Sequence, residues 1–250
     1  MWITLLYNIF MVISLLTYNI LHNKALKMVG RITEKYDPDI MLFQEIETAD
    51  KNLAFVESLG YKLADYANSY LIHNRIYGVA TFYKKSKLTF NEASTINLPF
   101  GLYEAFNFLL RGGRRHRTIL KTEFKIAKND KPVTIYNIHL TAKSTNTLRE
   151  RQMEEIFQTL QLNNKPIIVA GDFNYVYRRK RFEDIFQKYD LHEATNNIFI
   201  TYRDRWLKLF PVKSKNDYVL YHNIVHEETE RINVPFSDHY PLISKFKIDP

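Results

Sequence analysis

The sequence predicts an α/β fold arranged as a four-layer α/β sandwich, with two packed mixed β-sheets flanked by helices. Three observations lead to that class. Short apolar runs of strand length alternate with amphipathic helical segments, and turn signals fall between them. The strands are too many for one comfortable open sheet, so two stacked sheets accommodate them. A chain of 250 residues that is 46% hydrophobic and 25% charged has an ordinary globular composition and can form a full-sized core.

The elements follow in order. Residues 12–18 read as a buried strand, and residues 1–10 as a lead-in or extra strand before a single domain over 11–250. This start is apolar, yet no Lys or Arg precedes Lys24, Asn8 and Ser14 interrupt the run, and no small-residue cleavage site follows. It matches an export signal poorly and is too short and interrupted for a bilayer span, so the expected address is cytoplasmic, with export the alternative and no stable membrane insertion. Residues 25–36 suit an amphipathic helix stopped by Asp37-Pro38-Asp39, because a residue before proline is pushed out of the helical region. A strand at 40–44 and a helix at 48–59 closing on Gly60 come next. Strands at 61–66, 76–83 and 87–96 follow, then a pair at 118–126 and 132–140 joined by a turn around Asn129-Asp130. A helix over 145–162, a strand at 167–170, a helix over 181–189 and strands at 217–221 and 240–247 complete the pattern.

Composition narrows the chemistry. The chain has no cysteine, which excludes disulfides, zinc ribbons, iron–sulfur clusters and a thiol nucleophile. Any metal must be held by oxygen or imidazole. Thirty-five Lys and Arg against 27 Asp and Glu give a net charge of +8, which suits a polyanionic partner such as nucleic acid or anionic lipid. Two basic clusters, 111–117 and 178–181, lie near Tyr103, Phe106, Phe108, Tyr175 and Tyr177, an arrangement suited to tracking a phosphate backbone and stacking on bases. His222 and His226 have the i, i+4 spacing of a zinc pair but lack the Glu-x-x-His context that gives it meaning.

The most informative polar residues sit at the ends of apolar runs, where a strand leaving a sheet can aim a side chain at a shared cleft. Leu15-Leu16-Thr17-Tyr18 ends in Asn19, Ile40-Met41-Leu42-Phe43 in Gln44-Glu45, and the run at 133–138 in His139. The run at 167–170 leads into Gly171-Asp172-Phe173-Asn174, Asn216-Asp217 opens one strand, and Ser237-Asp238-His239 precedes another. Singly, each has an ordinary use. Asn19 suits a cap or turn, Asp172 and Asn174 an Asx turn, Glu45 and Arg117 solvated charges, and His139 a satisfied core imidazole. Asp217 suits an ion pair, and Asp238-His239 a strand cap. The joint pattern outweighs these readings.

In this order and at these separations the six motifs resemble the endonuclease/exonuclease/phosphatase superfamily of Mg²⁺-dependent phosphoesterases, over residues 12–246. The resemblance implies the four-layer fold and hydrolysis of phosphate esters ranging from DNA and RNA to phosphoinositides and sphingomyelin. It implies Glu45 as the principal ligand of Mg²⁺, with Mn²⁺ as a substitute, and Asn19 and Asp238 beside it. Asp172 is expected to orient or deprotonate the attacking water, held in line by Asn174. His239, paired with Asp217, and His139 are expected to hydrogen-bond the phosphoryl group, and Arg117 to bind phosphate. Some members carry an acid two places after the first asparagine, where this chain has Leu21; that departure favours one tightly held ion over two. The basic clusters favour a nuclease, acting as a monomer, over a phosphatase or phosphodiesterase for lipid or small phosphoesters. An inactive nucleic-acid-binding module is the third reading.

Overall fold

The apolar run near the N-terminus forms strand β1 (Met11–Asn19), buried from Ile13 onward. A computed structural model describes residues 11–99, 101, 117–126, 129–142, 144–160, 165–206 and 210–248. Around β1 stands a six-stranded sheet in the order β13 (Val225–Arg231), β14 (Leu242–Ile248), β1, β2 (Ile40–Glu47), β4 (Arg75–Tyr83) and β3 (Lys62–Ile72). Within it β1 and β2 run parallel and the other neighbours antiparallel. The second six-stranded sheet has the order β5 (Leu88–Asn97), β6 (Thr118–Ile126), β7 (Asn129–His139), β8 (Ile167–Asp172), β12 (Asp217–His222) and β9 (His192–Glu193). Here β7 and β8 are the parallel pair. A separate ribbon pairs β10 (Tyr202–Trp206) with β11 (Phe210–Ser214).

Alternation of side chains along each strand divides the core into layers. Ile13 and Leu15 of β1 join Ile40, Leu42, Ile135, Ile168, Val219 and Phe246 in one cluster drawn from both sheets. Leu16 and Tyr18, on the opposite face of β1, pack with Val29, Ile32, Leu53 and Val56. Those four come from helices α1 (Met28–Tyr36) and α2 (Asp50–Glu57). On the far side, Tyr136, Ile138 and Val169 meet Met153, Ile156, Phe157, Phe182 and Phe186 of helices α3 (Asn146–Gln158) and α4 (Arg179–Gln187). The layers are therefore helix, sheet, sheet, helix, the expected four-layer sandwich.

Several local expectations are corrected. Helix α1 begins at Met28 rather than 25, because Leu21, His22 and Asn23 adopt left-handed backbone and residues 21–27 form turns. Its other end falls at Asp37, left-handed with φ of 47° and followed by Pro38. Asn129 and Asp130, expected in a turn, lie within β7. Strand β3 continues to Ile72, past the predicted end at 66. The ribbon β10–β11 and strand β13 had no sequence signal. β13 closes one edge of its sheet with a mostly exposed, charge-rich run, so it lacks the apolar alternation of an inner strand. His222 and His226 sit on β12 and β13, not on one helix; His222 Nδ1 lies 2.9 Å from the Asp190 carbonyl and His226 Nε2 2.8 Å from Thr229 Oγ1. No helix among the described residues is long and apolar enough to cross a membrane.

Candidate active site

The parity that sorts the core also builds the site. Residues 13, 15, 17 and 19 of β1 share the face toward the second sheet, so the strand that begins with Ile13 and Leu15 ends with Asn19 facing the opposite layer. The same count places Gln44 on β2, Asn137 and His139 on β7, Asp172 on β8 and Asp217 on β12 at the intersheet face. A polar seam bridges the sheets beneath the cleft. Gln44 Nε2 donates to Asn137 Oδ1 at 2.8 Å and to Thr17 Oγ1 at 3.1 Å, while Asn137 Nδ2 donates to the carbonyls of Phe43 and Ala80. Gln44 and Asn137 were absent from the expected site residues. Their signal is present in the sequence: two amides interrupt apolar runs at the parity of the neighbouring site residues.

Glu45 breaks that parity. Gln44 pairs with Val79 and Ile46 with Gly78, leaving Glu45 as an unpaired bulge residue with φ of 57°. A bulge re-aims a side chain, and here the carboxylate turns toward the cleft, where Oε1 lies 3.7 Å from His139 Nε2. Left-handed backbone at a glutamate costs about 1–3 kcal/mol. Gly171 is the other special position. Its φ is 142°, and a Cβ there would lie 2.0 Å from the Ile138 carbonyl oxygen, so only glycine lets β7 and β8 approach and hold His139 opposite Asp172.

Asp172 stands at the centre. Its Oδ2 accepts from Asn19 Nδ2 at 3.0 Å, and its Oδ1 accepts from the backbone N–H of Asn174 at 2.9 Å. His139 Nε2 and His239 Nε2 lie 3.7 and 3.6 Å from the same Oδ2. Asp217 is the register partner of Asp172 across β8 and β12, and its Oδ2 is 2.8 Å from His239 Nδ1. Thr201 Oγ1 accepts from the backbone N–H groups of Asn216 and Asp217, fixing the start of β12. Ser237 Oγ donates to the Asn19 carbonyl at 2.7 Å and accepts from the His239 N–H at 3.1 Å, tying the last loop to the end of β1. Asn174, with φ of 51°, spends its Nδ2 on the Leu140 carbonyl at 3.1 Å. The guanidinium of Arg117 lies over the Tyr70 ring at 4.9 Å, with Nη1 3.2 Å from His139 Nδ1.

Burial makes these charges interact strongly. Asp172 is pushed up to about 7, first by loss of solvent and then by Asp217 and Glu45, against the opposing pull of His239 and Asn19. For His239 burial opposes protonation, but Asp217 and Asp172 outweigh it and raise the imidazole to about 10. His139 moves the other way, well below the usual histidine value, through burial and then its neighbours Arg117, His239 and His22. The site therefore holds one imidazolium, one neutral imidazole and a carboxylate balanced near neutrality. Asp238 is raised by burial and by its negative neighbour Glu45, partly offset by His239.

Asp172, Asp217 and His239 bring ligand atoms within 4.8 Å of one another. They are nevertheless a crowded cage for a hard cation, since Asp217 is paired with His239 Nδ1 at 2.8 Å and both Asp172 oxygens already accept hydrogen bonds. Glu45 fits better. Its Oε2 is buried without a hydrogen-bond partner, and Asn19 and Asp238 supply the hard oxygen donors that a small divalent cation takes.

The structure thus brings Asn19, Glu45, His139, Asp172, Asn174, Asp217, Asp238, His239 and Arg117 to one end of the sandwich. Of the second basic cluster, Arg178 and Lys180 are exposed, whereas Arg179 and Arg181 are engaged by acids. Arg179 pairs with Glu183 and Glu193, and Arg181 with Glu150. Tyr175 is buried against Phe182, which removes it as a stacking surface, whereas Tyr177 is exposed. Residues 111–116, Tyr103, Phe106 and Phe108 lie outside the described residues.

This fold and this site define a phosphoesterase class. The chain belongs to the Endonuclease/Exonuclease/phosphatase family, whose family model matches residues 16–239. No curated protein matches by sequence. Among solved structures, a family member from Bacteroides thetaiotaomicron superposes with a TM-score of 0.76 at 14% identity, covering 96% of this chain and 99% of that one. The human Nocturnin catalytic domain with bound sulfate gives 0.72 at 16%, covering 94% of each chain. ANGEL2, a 2',3'-cyclic phosphatase in complex with adenosine-2',3'-vanadate, gives 0.73 at 15%, covering 96% of each.

Proposed function

We infer that this protein is a divalent-metal-dependent phosphoester hydrolase that cleaves nucleic-acid phosphodiesters by in-line attack of an activated water. One observation carries the reading: two imidazole nitrogens, one from each sheet system, flank a single oxygen of Asp172 at 3.6 and 3.7 Å. That array surrounds a small volume with a base and two donors, which is what attack on a phosphoryl group needs.

Asp172, raised to about 7, accepts the proton of the water. Asn19 and the Asn174 N–H occupy one side of its carboxylate and fix its direction. The imidazolium of His239, held by Asp217, donates to the phosphoryl oxygens as charge accumulates, and His139 donates from the other sheet. Arg117 approaches from the His139 side as the phosphate-binding cation. Mg²⁺ at Glu45, Asn19 and Asp238 would neutralise phosphate oxygens and stabilise the leaving oxygen. The net charge of +8 and the exposed Phe236 beside Asp238 favour a polynucleotide that stacks a base at the mouth of the cleft.

A second reading, hydrolysis of a small or cyclic phosphoester, is favoured by the pairing of Arg179 and Arg181 with acids, which shortens the available phosphate track. A panel of single-stranded and duplex oligonucleotides, nucleoside 2',3'-cyclic phosphates, sugar phosphates and phosphoinositides, with Mg²⁺ or EDTA, separates the two. The expected result is Mg²⁺-dependent cleavage of oligonucleotides, strongly salt-dependent and abolished in Asp172→Asn. Turnover confined to small phosphoesters selects the second reading, and full activity in EDTA rejects both.

A further inference from the structure

His22 lies outside every role assigned above, yet its placement is costly. Leu21, His22 and Asn23 are three successive non-glycine residues in left-handed backbone, with φ of 46°, 51° and 67°. Each such residue costs about 1 kcal/mol or more, so the surroundings must hold the loop firmly. They do. Asn19 Oδ1 accepts from the Leu21 N–H at 3.1 Å, and Asn23 Oδ1 accepts from the Glu47 N–H at 2.9 Å, clamping the loop between the end of β1 and the end of β2.

The clamp fixes the imidazole ring. It stands edge-on to Tyr77 and Tyr70, with centroids 4.9 and 5.9 Å away, and its Nε2 is 3.2 Å from the Tyr70 hydroxyl. In the tautomer whose Nε2–H donates to the Tyr70 hydroxyl, Nδ1 presents its lone pair 3.2 Å from Glu45 Oε2. The same Oε2 is buried with no hydrogen-bond partner, so the contact is not an aligned N–H···O bond. A nitrogen and an oxygen held 3.2 Å apart are close enough to bind one ion together. Donors about 2.1 Å from one ion and at right angles to each other stand about 3.0 Å apart. A hydrogen bond on the remote ring nitrogen is also the usual support of a ligating histidine.

We propose that His22 Nδ1 is a ligand of the divalent cation held by Glu45, and that it shifts this site toward imidazole-preferring ions such as Co²⁺ or Zn²⁺ relative to Mg²⁺. The chain carries Leu21 where some relatives place an acid, and the next residue supplies nitrogen in place of that oxygen. Imidazole raises affinity along the divalent series, whereas Mg²⁺ gains little from it. The inference rests on the reading of Glu45 as the principal metal ligand.

The test is calorimetric binding of Co²⁺ and of Mg²⁺ to the full chain, with the visible spectrum of the Co²⁺ form as a second readout. Variants are His22→Asn, which tolerates left-handed backbone, and Glu45→Gln. His139→Asn controls for the other imidazole near Glu45. Loss of a nitrogen ligand is expected to weaken Co²⁺ by at least about tenfold and to alter its spectrum, with Mg²⁺ affinity unchanged. Should His22→Asn fold poorly, His22→Gly accommodates the same φ and gives the same comparison. Unchanged Co²⁺ affinity and spectrum in the His22 variants, with binding lost in Glu45→Gln, overturns the role of His22 and leaves Glu45 standing. Wild-type binding of both ions by Glu45→Gln overturns the Glu45 reading and this one together.

Discussion

Two clusters of charge, one at the cleft and one half-buried behind helix α4, are built from acids and bases and resolve them in opposite ways. Behind α4, Glu193 meets Arg179 and Lys215, while Glu183 takes the other side of Arg179. Two cations face two carboxylates. Although burial alone would raise Glu193, Arg179, Lys215 and Thr195 hold it below the ordinary carboxylate range. At the cleft, Asp172, Asp217, Glu45 and Asp238 face His239 as the one imidazolium among them, and Asp172 rises to about 7. The matched cluster has no charge left for a ligand. The unmatched one carries an excess that a cation and a phosphate together would neutralise, and perturbed carboxylates of this kind concentrate at functional sites.

The largest expected break in this comparison is chemical. Asp172→Asn should lower kcat by about 10²–10⁴-fold while leaving the fold intact, measured by steady-state kinetics beside circular dichroism. Loss of the fold instead would make Asp172 a structural residue like Glu193. The converse change, Glu193→Gln, leaves Lys215 without its anion and Arg179 with Glu183 alone, and should cost about 1–3 kcal/mol in urea unfolding, with kcat of the folded fraction unchanged.

A smaller effect sharpens the contrast. Mg²⁺ at a hundred times its Kd should raise stability by about 2.7 kcal/mol, visible as a higher Tm. The gain should vanish in Glu45→Gln and persist in Glu193→Gln. The smallest effect is a difference of sign with pH, read from Tm in EDTA. Asp172 binds its proton more tightly folded than unfolded, so it favours the folded state below its unfolded value of 3.8, and that contribution fades as pH rises toward 7. Glu193 is held low when folded, so its contribution is present above the unfolded value of 4.5 and is lost as pH falls through the depressed one. Asp172→Asn should therefore remove a loss of stability between about pH 4 and 7, and Glu193→Gln should remove a loss below about pH 4.

Much of the site was legible because strand parity is a local property. A polar residue two, four or six places beyond an intersheet apolar residue faces the same layer, which connects Ile13 with Asn19, Ile135 with His139, and Ile168 with Asp172. Glu45 illustrates the limit. The resemblance names it, but simple alternation points it away from the cleft, and the unpaired residue opposite β4 turns it back. The run at 178–181 illustrates a different failure. Arg179 and Arg181 read as free phosphate contacts because Glu193 and Glu150 come to them from other elements. Tyr175 misleads for the same reason, since Phe182 and the helix layer cover it.

The amino-acid sequence by itself determined the layered α/β architecture, the absence of thiol chemistry and the inventory of carboxylates, amides and imidazoles at strand ends, because alternation and composition act over a few residues. Only the tertiary structure decided which charges are cancelled and which are left over. Desolvation and pairing depend on groups brought together from distant segments, as Asn19 is to Asp172 and His22 to Glu45.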